Sequence, residues 1–245
     1  MPTLTHCPAL QDRVILVTGA AKRIGRSIAL RLANEGARVA IHFHGSQADA
    51  EATARDCGGA PLFRANLERV GEIERLFAEV DAQFGRIDGL VNNAARFTTF
   101  DALAITEADW DFIHSVNLKA TFFCCQQAGR RMLSGEGGRI VNISSLGGLR
   151  AWPQNAHYCA SKAGVIMLTR ALAQAFAPKV TVNSVAPGVI MLDPPDERTA
   201  RMIARTPAGR GGTPEEIADA VVYFLKASSF VTGQVIAVDG GLSQK

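Results

Sequence analysis

The sequence lacks the features that mark membrane proteins, secreted proteins and nucleic-acid-binding proteins. No stretch approaches the run of about 18 apolar residues that a membrane-spanning helix needs. Residues 1–13 contain no apolar segment followed by a small-residue cleavage site, so no signal peptide is indicated. Basic residues number 26 and acidic residues 23, without the basic run that indicates a nucleic-acid partner. We therefore expect a soluble cytoplasmic protein with no membrane partner and no nucleic-acid partner.

Cysteine is sparse as well, and its spacing excludes the usual cysteine-based sites. The five cysteines form no C-x-x-C pair, and their odd number leaves at least one thiol outside any disulfide scheme. A reducing compartment is the simplest setting for that pattern. His114 and His157 have no second ligand at metal spacing, so we expect no metal site.

Short β-branched segments alternate with longer helical patterns along the 245 residues. This alternation is typical of βαβ units, in which helices cover a parallel sheet. A chain of this length buries one core without splitting, so we predict a single α/β domain over residues 1–245. Thr213, Pro214 and Glu216 have the spacing of a helix start with a capping box. The predicted strands are residues 13–18, 37–43, 61–65, 88–91, 138–143, 180–186 and 234–238.

Residues 187–212 form the least regular segment of the sequence. Such a segment is either a long surface connection or a mobile flap over a ligand. We favour a flap that covers the substrate, because the residues with recognisable binding and reaction chemistry precede it in the chain.

The stretch TGAAKRIG, residues 18–25, lies between the first predicted strand and the first helix. Gly19 allows a sharp turn after the strand, and Gly25 allows the helix to approach the sheet, so that the helix N-terminus faces a pyrophosphate. A glycine-rich turn in this place predicts a dinucleotide-binding site.

The end of the second predicted strand indicates which dinucleotide is bound. An acidic residue there bonds the 2′-hydroxyl of the adenosine ribose, whereas donors and cations accept a 2′-phosphate. The sequence reads IHFHGS, with no acid, and its donors are His42, His44 and Ser46. Lys22 and Arg23 in the facing loop add positive charge, so we predict NADP(H) as the cofactor. The alternative is that the two loop cations are simply solvated.

Tyr158 and Lys162, in YCASK, are four residues apart and would lie on one face of a helix. Ser145 follows the predicted strand 138–143, at the sheet edge where ligands bind in open α/β folds. The lysine ammonium, together with an oxidised nicotinamide, would lower the tyrosine pKa from its usual ~10. We predict that Tyr158 exchanges a proton with a substrate oxygen while the cofactor moves a hydride, and that Ser145 holds that oxygen.

With these residues in place, the sequence resembles the short-chain dehydrogenase/reductase family over essentially its whole length. The matching segments, in the family's order and spacing, are TGAAKRIG, NNAA (92–95), Asn117 in SVNLKATF, Ser145, YCASK, VAPG (185–188) and VDGG (238–241). The resemblance implies a Rossmann-type, doubly wound parallel sheet with helices on both faces. It also implies an oxidoreductase with a small-molecule carbonyl substrate and the catalytic residues Asn117, Ser145, Tyr158 and Lys162.

The resemblance also assigns the remaining site residues. It implies that Asn117 supports a water chain for protons and that Lys162 bonds the nicotinamide ribose. A homotetramer built from helices near 107–133 and 157–177 and the C-terminal strand is expected, although dimers occur in the family too. The residues expected to bind NADP(H) are Gly19, Lys22, Arg23, Ile24, His44, Ser46, Asn66, Leu67, Asn93, Ala94, Tyr158, Lys162, Pro187, Gly188 and Ile190.

Several positions look specifically like the pteridine reductases. Arg23 stands where the wider family has glycine, and in pteridine reductases that arginine meets both the cofactor phosphate and the substrate. The aromatic ring of Phe97 would stack on a pterin. The expected substrate residues are therefore Arg23, Phe97, Ser145 and Tyr158. Ser145 argues against that subfamily, which typically carries an aspartate at this position, and a serine suits a carbonyl.

We therefore predict an NADP(H)-dependent reductase of a carbonyl substrate, with three alternatives. One is a pteridine reductase acting on dihydrobiopterin or dihydrofolate. Another is a 3-oxoacyl-acyl-carrier-protein reductase, because ASKAGVIMLTRALA and TPEEIADAVVYFL are shared with those enzymes. The third is a non-catalytic NADP-binding sensor, which the complete Asn, Ser, Tyr and Lys set disfavours.

Overall fold

The computed structural model describes residues 9–244 and contains a sheet of seven parallel strands. Their order is β3-β2-β1-β4-β5-β6-β7, the doubly wound arrangement that the sequence predicts. Each strand begins and ends within one residue of its predicted bounds. The strands are β1 (Val14–Val17), β2 (Arg38–Phe43), β3 (Leu62–Arg64), β4 (Gly89–Asn92), β5 (Gly138–Ile143), β6 (Val180–Pro187) and β7 (Val235–Val238).

Helices follow the strands and cover both faces of the sheet. A π-helical turn, Ser115–Ala120, joins the fourth helix to the fifth. No helix within residues 9–244 has the length and the apolar character needed to cross a membrane. The α-helices are α1 (Arg23–Asn34), α2 (Gln47–Asp56), α3 (Val70–Phe84), α4 (Glu107–His114), α5 (Thr121–Ser134), α6 (Ala156–Ala175), α7 (Glu197–Arg205) and α8 (Pro214–Lys226).

Alternation along β1 shows how the sheet separates two apolar cores. Val14 and Leu16 belong to a core formed with α3, α5 and α6. Ile15 and Val17 point to the other face and belong to a core formed with α1 and α8. Because both faces are buried, the central strands are almost continuously apolar, as parallel sheets require.

The start of α8 follows the predicted capping pattern. Thr213 is the N-cap, Pro214 occupies the first turn, and Thr213 and Glu216 form the capping box. The backbone N–H of Thr213 donates to Oε2 of Glu216 at 2.8 Å. The sequence prediction for this helix start is therefore confirmed.

The predicted irregular segment 187–212 contains a helix that the sequence pattern did not reveal. Asp196 caps α7 by accepting the backbone N–H of Thr199 at 2.7 Å. No side chain of α7 is fully buried. The helix is short and amphipathic, and its only large apolar residues, Met202 and Ile203, are too few to form a repeated apolar stripe in the sequence.

Candidate active site

Two adjoining cavities lie at the carboxyl ends of the strands of the sheet. The first, called here the loop cavity, has a volume of about 480 Å³ and is lined by Gly19, Lys22, Arg23, Ile24, His44, Ser46, Asn66, Leu67, Asn93 and Ala94. The second, called the tyrosine cavity, has a volume of about 410 Å³ and is lined by Ser145, Tyr158, Lys162, Pro187, Gly188 and Ile190, among others. Ile24, Asn93 and Phe97 border both, so a ligand that fills one cavity can extend into the other.

The glycine-rich turn depends on the absence of two Cβ atoms. Gly19 has a φ of +63°, and a Cβ there would lie 2.9 Å from Cα of Ala94. A Cβ on Gly25 would lie 2.1 Å from the carbonyl oxygen of Gly19. The turn and the start of α1 therefore pack directly on each other, as the sequence predicts.

Two polar side chains hold this turn against the end of β4. The hydroxyl of Thr18 accepts the backbone N–H groups of Asn93 and Ala94 at 3.0 and 3.1 Å. The side-chain amide of Asn93 donates to the carbonyl oxygens of Thr18 and Gly19 at 2.9 and 3.0 Å. Asn93 thus fixes the loop as well as lining the cavity, and Thr18 is a site residue that the sequence reasoning missed.

His42 does not supply the phosphate donor that the sequence suggested. Its ring is buried, with Nδ1 accepting the N–H of Gly19 at 3.1 Å and Nε2 lying 3.1 Å from the carbonyl oxygen of Ala65. Burial lowers the pKa of His42 to about 4, so the ring is neutral. Both ring nitrogens are occupied, and His42 is a structural support for the turn.

The rim of the loop cavity is cationic and open. The Lys22 and Arg23 side chains are 57% and 60% exposed, and they face Asp49 and Asp193 at 4.0 and 3.5 Å. Such exposed ion pairs contribute little to stability, so both cations remain available to an anionic ligand. Arg23 adopts a φ of +56°, so a charged residue other than glycine occupies a left-handed turn.

Asn66 and Arg64, which lie near the end of β3, are both engaged in hydrogen bonds within the protein. Asn66 lines the cavity, but its side chain accepts the N–H of Glu68 at 3.0 Å and donates to the Glu68 carboxylate at 3.3 Å. Arg64, which the sequence reasoning did not include, donates from Nε to the carbonyl oxygen of His44 at 3.1 Å. Arg64 therefore fixes the backbone at the end of β2, next to the predicted phosphate-binding residues.

Tyr158 and Lys162 lie on the first turns of α6, as their spacing predicts. Nζ of Lys162 donates to the carbonyl oxygen of Ile143 at 2.8 Å and lies 5.9 Å from the centre of the Tyr158 ring. Burial lowers the pKa of Lys162 to about 8 and raises the pKa of Tyr158 to about 12. In the protein alone, desolvation of the phenol outweighs the opposing hydrogen bond with Ser145. The expected lowering of the tyrosine pKa, which also requires an oxidised nicotinamide, stays a prediction.

Ser145 is placed by a short 3-10 turn, Leu146–Gly148, that follows β5. Its hydroxyl oxygen accepts the backbone N–H of Gly147 at 3.0 Å and lines the tyrosine cavity. The hydroxyl also contacts the Tyr158 phenol, and it can donate its proton to a ligand oxygen placed beside both groups.

Asn117 lies in the π-helical turn and lines neither cavity. Its side chain is 1% exposed, accepts the N–H of Arg96 at 2.7 Å and donates to the hydroxyl of Ser161 at 3.1 Å. Ser161 in turn donates to the carbonyl oxygen of Tyr158 at 2.7 Å. The structure thus connects Asn117 to the backbone of the tyrosine, and its proposed support of a water chain stays a prediction.

Aromatic side chains form the walls of the tyrosine cavity. The Phe97 ring meets the Tyr158 ring edge to face, with centroids 4.8 Å apart. The Trp152 ring lies nearly parallel to the Tyr158 ring, with centroids 6.1 Å apart. The cavity therefore offers flat apolar surfaces on two sides of the phenol.

Comparisons with known proteins agree on the family. A family model described as enoyl-(acyl carrier protein) reductase matches residues 19–243. The 3-oxoacyl-[acyl-carrier-protein] reductase FabG of Staphylococcus aureus is 40% identical over 237 residues, covering 93% of this chain and 96% of that protein. The protein of the same name from Thermotoga maritima is 39% identical, covering 95% and 98%. A structure of a double mutant of a Serratia marcescens short-chain dehydrogenase/reductase matches with a TM-score of 0.91 at 32% identity, covering 96% of this chain and 100% of that chain. The chain belongs to the short-chain dehydrogenase/reductase family.

This short-chain dehydrogenase/reductase is therefore an oxidoreductase, and its family uses a nicotinamide cofactor. The residues present fit such a group. The backbone of the 18–25 turn packs against Ala94 and the start of α1 only because Gly19 and Gly25 have no Cβ atoms. The loop cavity beside this turn leads into the tyrosine cavity. Trp152 and Arg198 also line the tyrosine cavity. The sequence did not indicate either residue, because Trp152 lies in an irregular connection and Arg198 lies on α7, a helix that the sequence did not predict.

Proposed function

We propose that the protein is an NADPH-dependent reductase that converts a carbonyl group into an alcohol. The observation that carries the proposal is the pairing, in one cavity, of a phenol that stays protonated and a serine hydroxyl beside it. The pKa of Tyr158 is raised to about 12, so the group is a proton donor at neutral pH. The Ser145 hydroxyl accepts the backbone N–H of Gly147 and also forms a hydrogen bond with the Tyr158 phenol.

The cofactor would occupy the loop cavity and reach into the tyrosine cavity. Gly19, Ile24 and Ala94 line the path of the pyrophosphate and ribose, and Pro187, Gly188 and Ile190 line the nicotinamide end. Arg23, with Lys22, His44 and Ser46, would bind the 2′-phosphate that distinguishes NADPH from NADH. When bound, NADPH supplies the hydride for the reduction.

The side chains of the protein then supply the proton and stabilise the negative charge that develops on the substrate oxygen. Ser145 donates a hydrogen bond to the substrate oxygen, and that bond strengthens as the oxygen gains charge. Tyr158 transfers its proton to the same oxygen, completing the alcohol. The Lys162 ammonium stabilises the phenolate that Tyr158 leaves behind, and Ile143 holds the ammonium in place through its carbonyl oxygen. The segment 187–212 would cover the substrate, since α7 contributes Arg198, Thr199 and Met202 to the cavity.

A pteridine reductase is the second candidate, and the position of Phe97 favours it. Phe97 is 54% exposed and borders both cavities, where a flat heterocycle would stack beside a nicotinamide. Stacking of this kind contributes about 0.5–1.5 kcal/mol beyond area burial.

The relatives named 3-oxoacyl-[acyl-carrier-protein] reductases make a 3-oxoacyl thioester the first carbonyl compound to try.

An NADPH-oxidation screen tests the proposal. The panel contains an acetoacetyl thioester, simple ketones, aldehydes, dihydrobiopterin and dihydrofolate. We expect turnover of ketones or thioesters and little turnover of the pteridines. Rapid reduction of dihydrobiopterin with inert ketones would show the second candidate to be right, and binding of NADPH without turnover of any compound would indicate a sensor.

Cofactor preference is measured in the same assay. We expect kcat/KM with NADPH to exceed that with NADH by at least about tenfold, which one charge-assisted contact supplies. Arg23→Gly keeps a residue suited to the positive φ and removes the charge, so it should shrink the preference. Arg26→Gln is the control, because Arg26 is the next arginine on α1 and forms a salt bridge with Asp56. This variant should leave the cofactor preference unchanged. Equal kcat/KM for the two cofactors in the wild type would refute the phosphate site.

A further inference from the structure

Within residues 9–244, the guanidinium of Arg198 in the tyrosine cavity forms no salt bridge. Arg198, on the first turn of α7, lines the cavity together with Phe97 and Trp152. Its Nη2 donates to Oδ1 of Asn155 at 2.6 Å, and its Nη1 donates to the hydroxyl oxygen of Thr99 at 3.3 Å. Within residues 9–244 it forms no ion pair, and both of its acceptors are neutral.

A buried asparagine, Asn155, positions the Arg198 guanidinium. Asn155 is 0% exposed, and its amide donates to the carbonyl oxygen of Thr98 at 2.8 Å and to the hydroxyl of Thr99 at 3.0 Å. With both amide protons engaged, Oδ1 is fixed as an acceptor directed at Arg198. The arginine is therefore held in one position by side chains from outside α7, and donors of its planar fork remain free.

Asp196, two residues before Arg198, forms no salt bridge with it, although the pKa of Asp196 is lowered by its hydrogen bonds with Thr199 and, to a lesser extent, by the charges of Arg198 and Arg201. Asp196 also lines the tyrosine cavity, but it is exposed and caps α7 by accepting the N–H of Thr199 at 2.7 Å. The next arginine of the helix, Arg201, pairs with Glu197 at 2.8 Å and is 67% exposed. Arg198 thus differs from Arg201 in that it lines the cavity and, among the described residues, forms no salt bridge.

We propose that Arg198 binds a carboxylate of the substrate, so that the substrate of this site is an oxo acid with an apolar body. The proposal rests on the proposed reductase function and narrows its substrate class. A planar guanidinium with free donors binds a carboxylate through paired, charge-assisted hydrogen bonds. Phe97, Trp152 and Met202 supply apolar surface for the rest of the molecule. A neutral ester or thioester of the same compound lacks the anion.

A binding experiment tests the anion site without any turnover. Tryptophan fluorescence follows the titration of the NADP-loaded enzyme with benzoate and with benzamide, since Trp152 lines the cavity. We expect benzoate to bind at least about tenfold more tightly than benzamide. Arg198→Gln should abolish that selectivity, Arg198→Lys should retain part of it, and Arg201→Gln should leave it unchanged. Equal binding of the two compounds, or selectivity that survives in Arg198→Gln, would overturn the proposal.

A turnover experiment separates substrate recognition from support of α7. Oxo acids of several chain lengths are compared with their methyl esters. We expect the wild type to favour the best acid by at least about tenfold in kcat/KM, and Arg198→Gln to lose this preference while ester turnover stays within about threefold. Equal losses for acid and ester would show that Arg198 only anchors α7 to Asn155, and would overturn the proposal.

The two experiments also separate this proposal from the reductase function. Ester reduction without any preference for the acid contradicts the anion site and leaves the reductase standing. Benzoate selectivity that depends on Arg198, without reduction of any oxo compound, supports the anion site and contradicts the proposed reaction.

Discussion

At the residue scale, burial decides which group of the site carries a proton. Desolvation raises the pKa of Tyr158 to about 12 and lowers that of Lys162 to about 8. At neutral pH the phenol is therefore protonated and the lysine is still an ammonium. This pair of states suits reduction, in which the tyrosine must give a proton and the lysine must then stabilise the phenolate.

Tyr158→Phe keeps the ring and removes the proton donor. We expect turnover to fall by at least about 100-fold, the loss typical of a missing general acid. NADPH affinity, measured by fluorescence titration, should stay within about threefold, because the wall of the cavity is preserved. Turnover like that of the wild type would remove Tyr158 from the mechanism.

The lysine predicts a pH dependence. Its pKa is lowered to about 8, so the ammonium is present below that pH and is lost above it. Because Tyr158 stays protonated across this range, kcat/KM for reduction should fall as the pH rises above about 8. The profile is measured from about pH 6 to about pH 10. Lys162→Met has no titrating amine and should show low activity without this decline; the same decline in that variant would assign it to another group.

At the element scale, the sequence predicts those features whose signal is local. The seven strands carry apolar β-branched runs buried on both faces, and Thr213, Pro214 and Glu216 specify a helix start by spacing alone. The glycines of the 18–25 turn and the spacing of Tyr158 and Lys162 are equally local. These features were predicted because each depends on residues close together in the chain.

Features that depend on tertiary contacts were not predictable. His42 looks like a donor in sequence, but the fold buries its ring between Gly19 and Ala65. The tyrosine pKa follows from the desolvation that the folded cavity imposes. Arg198 is held in the site by a hydrogen bond to Oδ1 of Asn155, which lies far away in the chain. Such residues are recognised by their partners, which a single sequence does not reveal.

The flap element can be tested by limited proteolysis. No side chain of α7 is fully buried, so this helix opens at lower free energy than the helices that pack on the sheet. We expect trypsin to cut first after an arginine of α7, as located by mass spectrometry. NADPH with a bound oxo acid analogue should slow this cut several-fold, since ligands that bind the closed form reduce opening. A first cut within α1 to α6, or no effect of the ligands, would contradict a flap in this position.

At the scale of the whole molecule, the strand order explains why the two cavities adjoin. The chain runs outward from β1 to β3 and then returns to start β4 on the other side of β1. Helices leaving β1 and β4 therefore diverge to opposite faces, and a crevice opens at the carboxyl ends of these strands. Gly19 and Asn93, which border that crevice, follow the two strands directly.

The surface carries apolar side chains on the helices that the family resemblance places in subunit contacts. Trp110 and Phe112 on α4 and Met167 on α6 are large, exposed and close to the predicted interface ranges 107–133 and 157–177. A groove beside them is lined by Leu118 of the π-helical turn, Phe122 and Phe123 of α5 and Leu168 of α6. Exposed apolar surface of this kind is typical of sites covered by another protein subunit.

We expect the protein to be a homotetramer, with a mass in sedimentation velocity four times that of the chain. Met167→Glu places a charge on an apolar side chain that is 60% exposed in the single chain and that a subunit contact would bury. Burial of an unpaired carboxylate is costly, so this variant should shift the protein to dimers or monomers without unfolding it. Ala78→Glu, on an exposed position of α3 outside the predicted interface ranges, is the matched control and should remain tetrameric. A wild type that sediments as a monomer, or a Met167→Glu variant that sediments like the control, would show that this face is not a subunit contact.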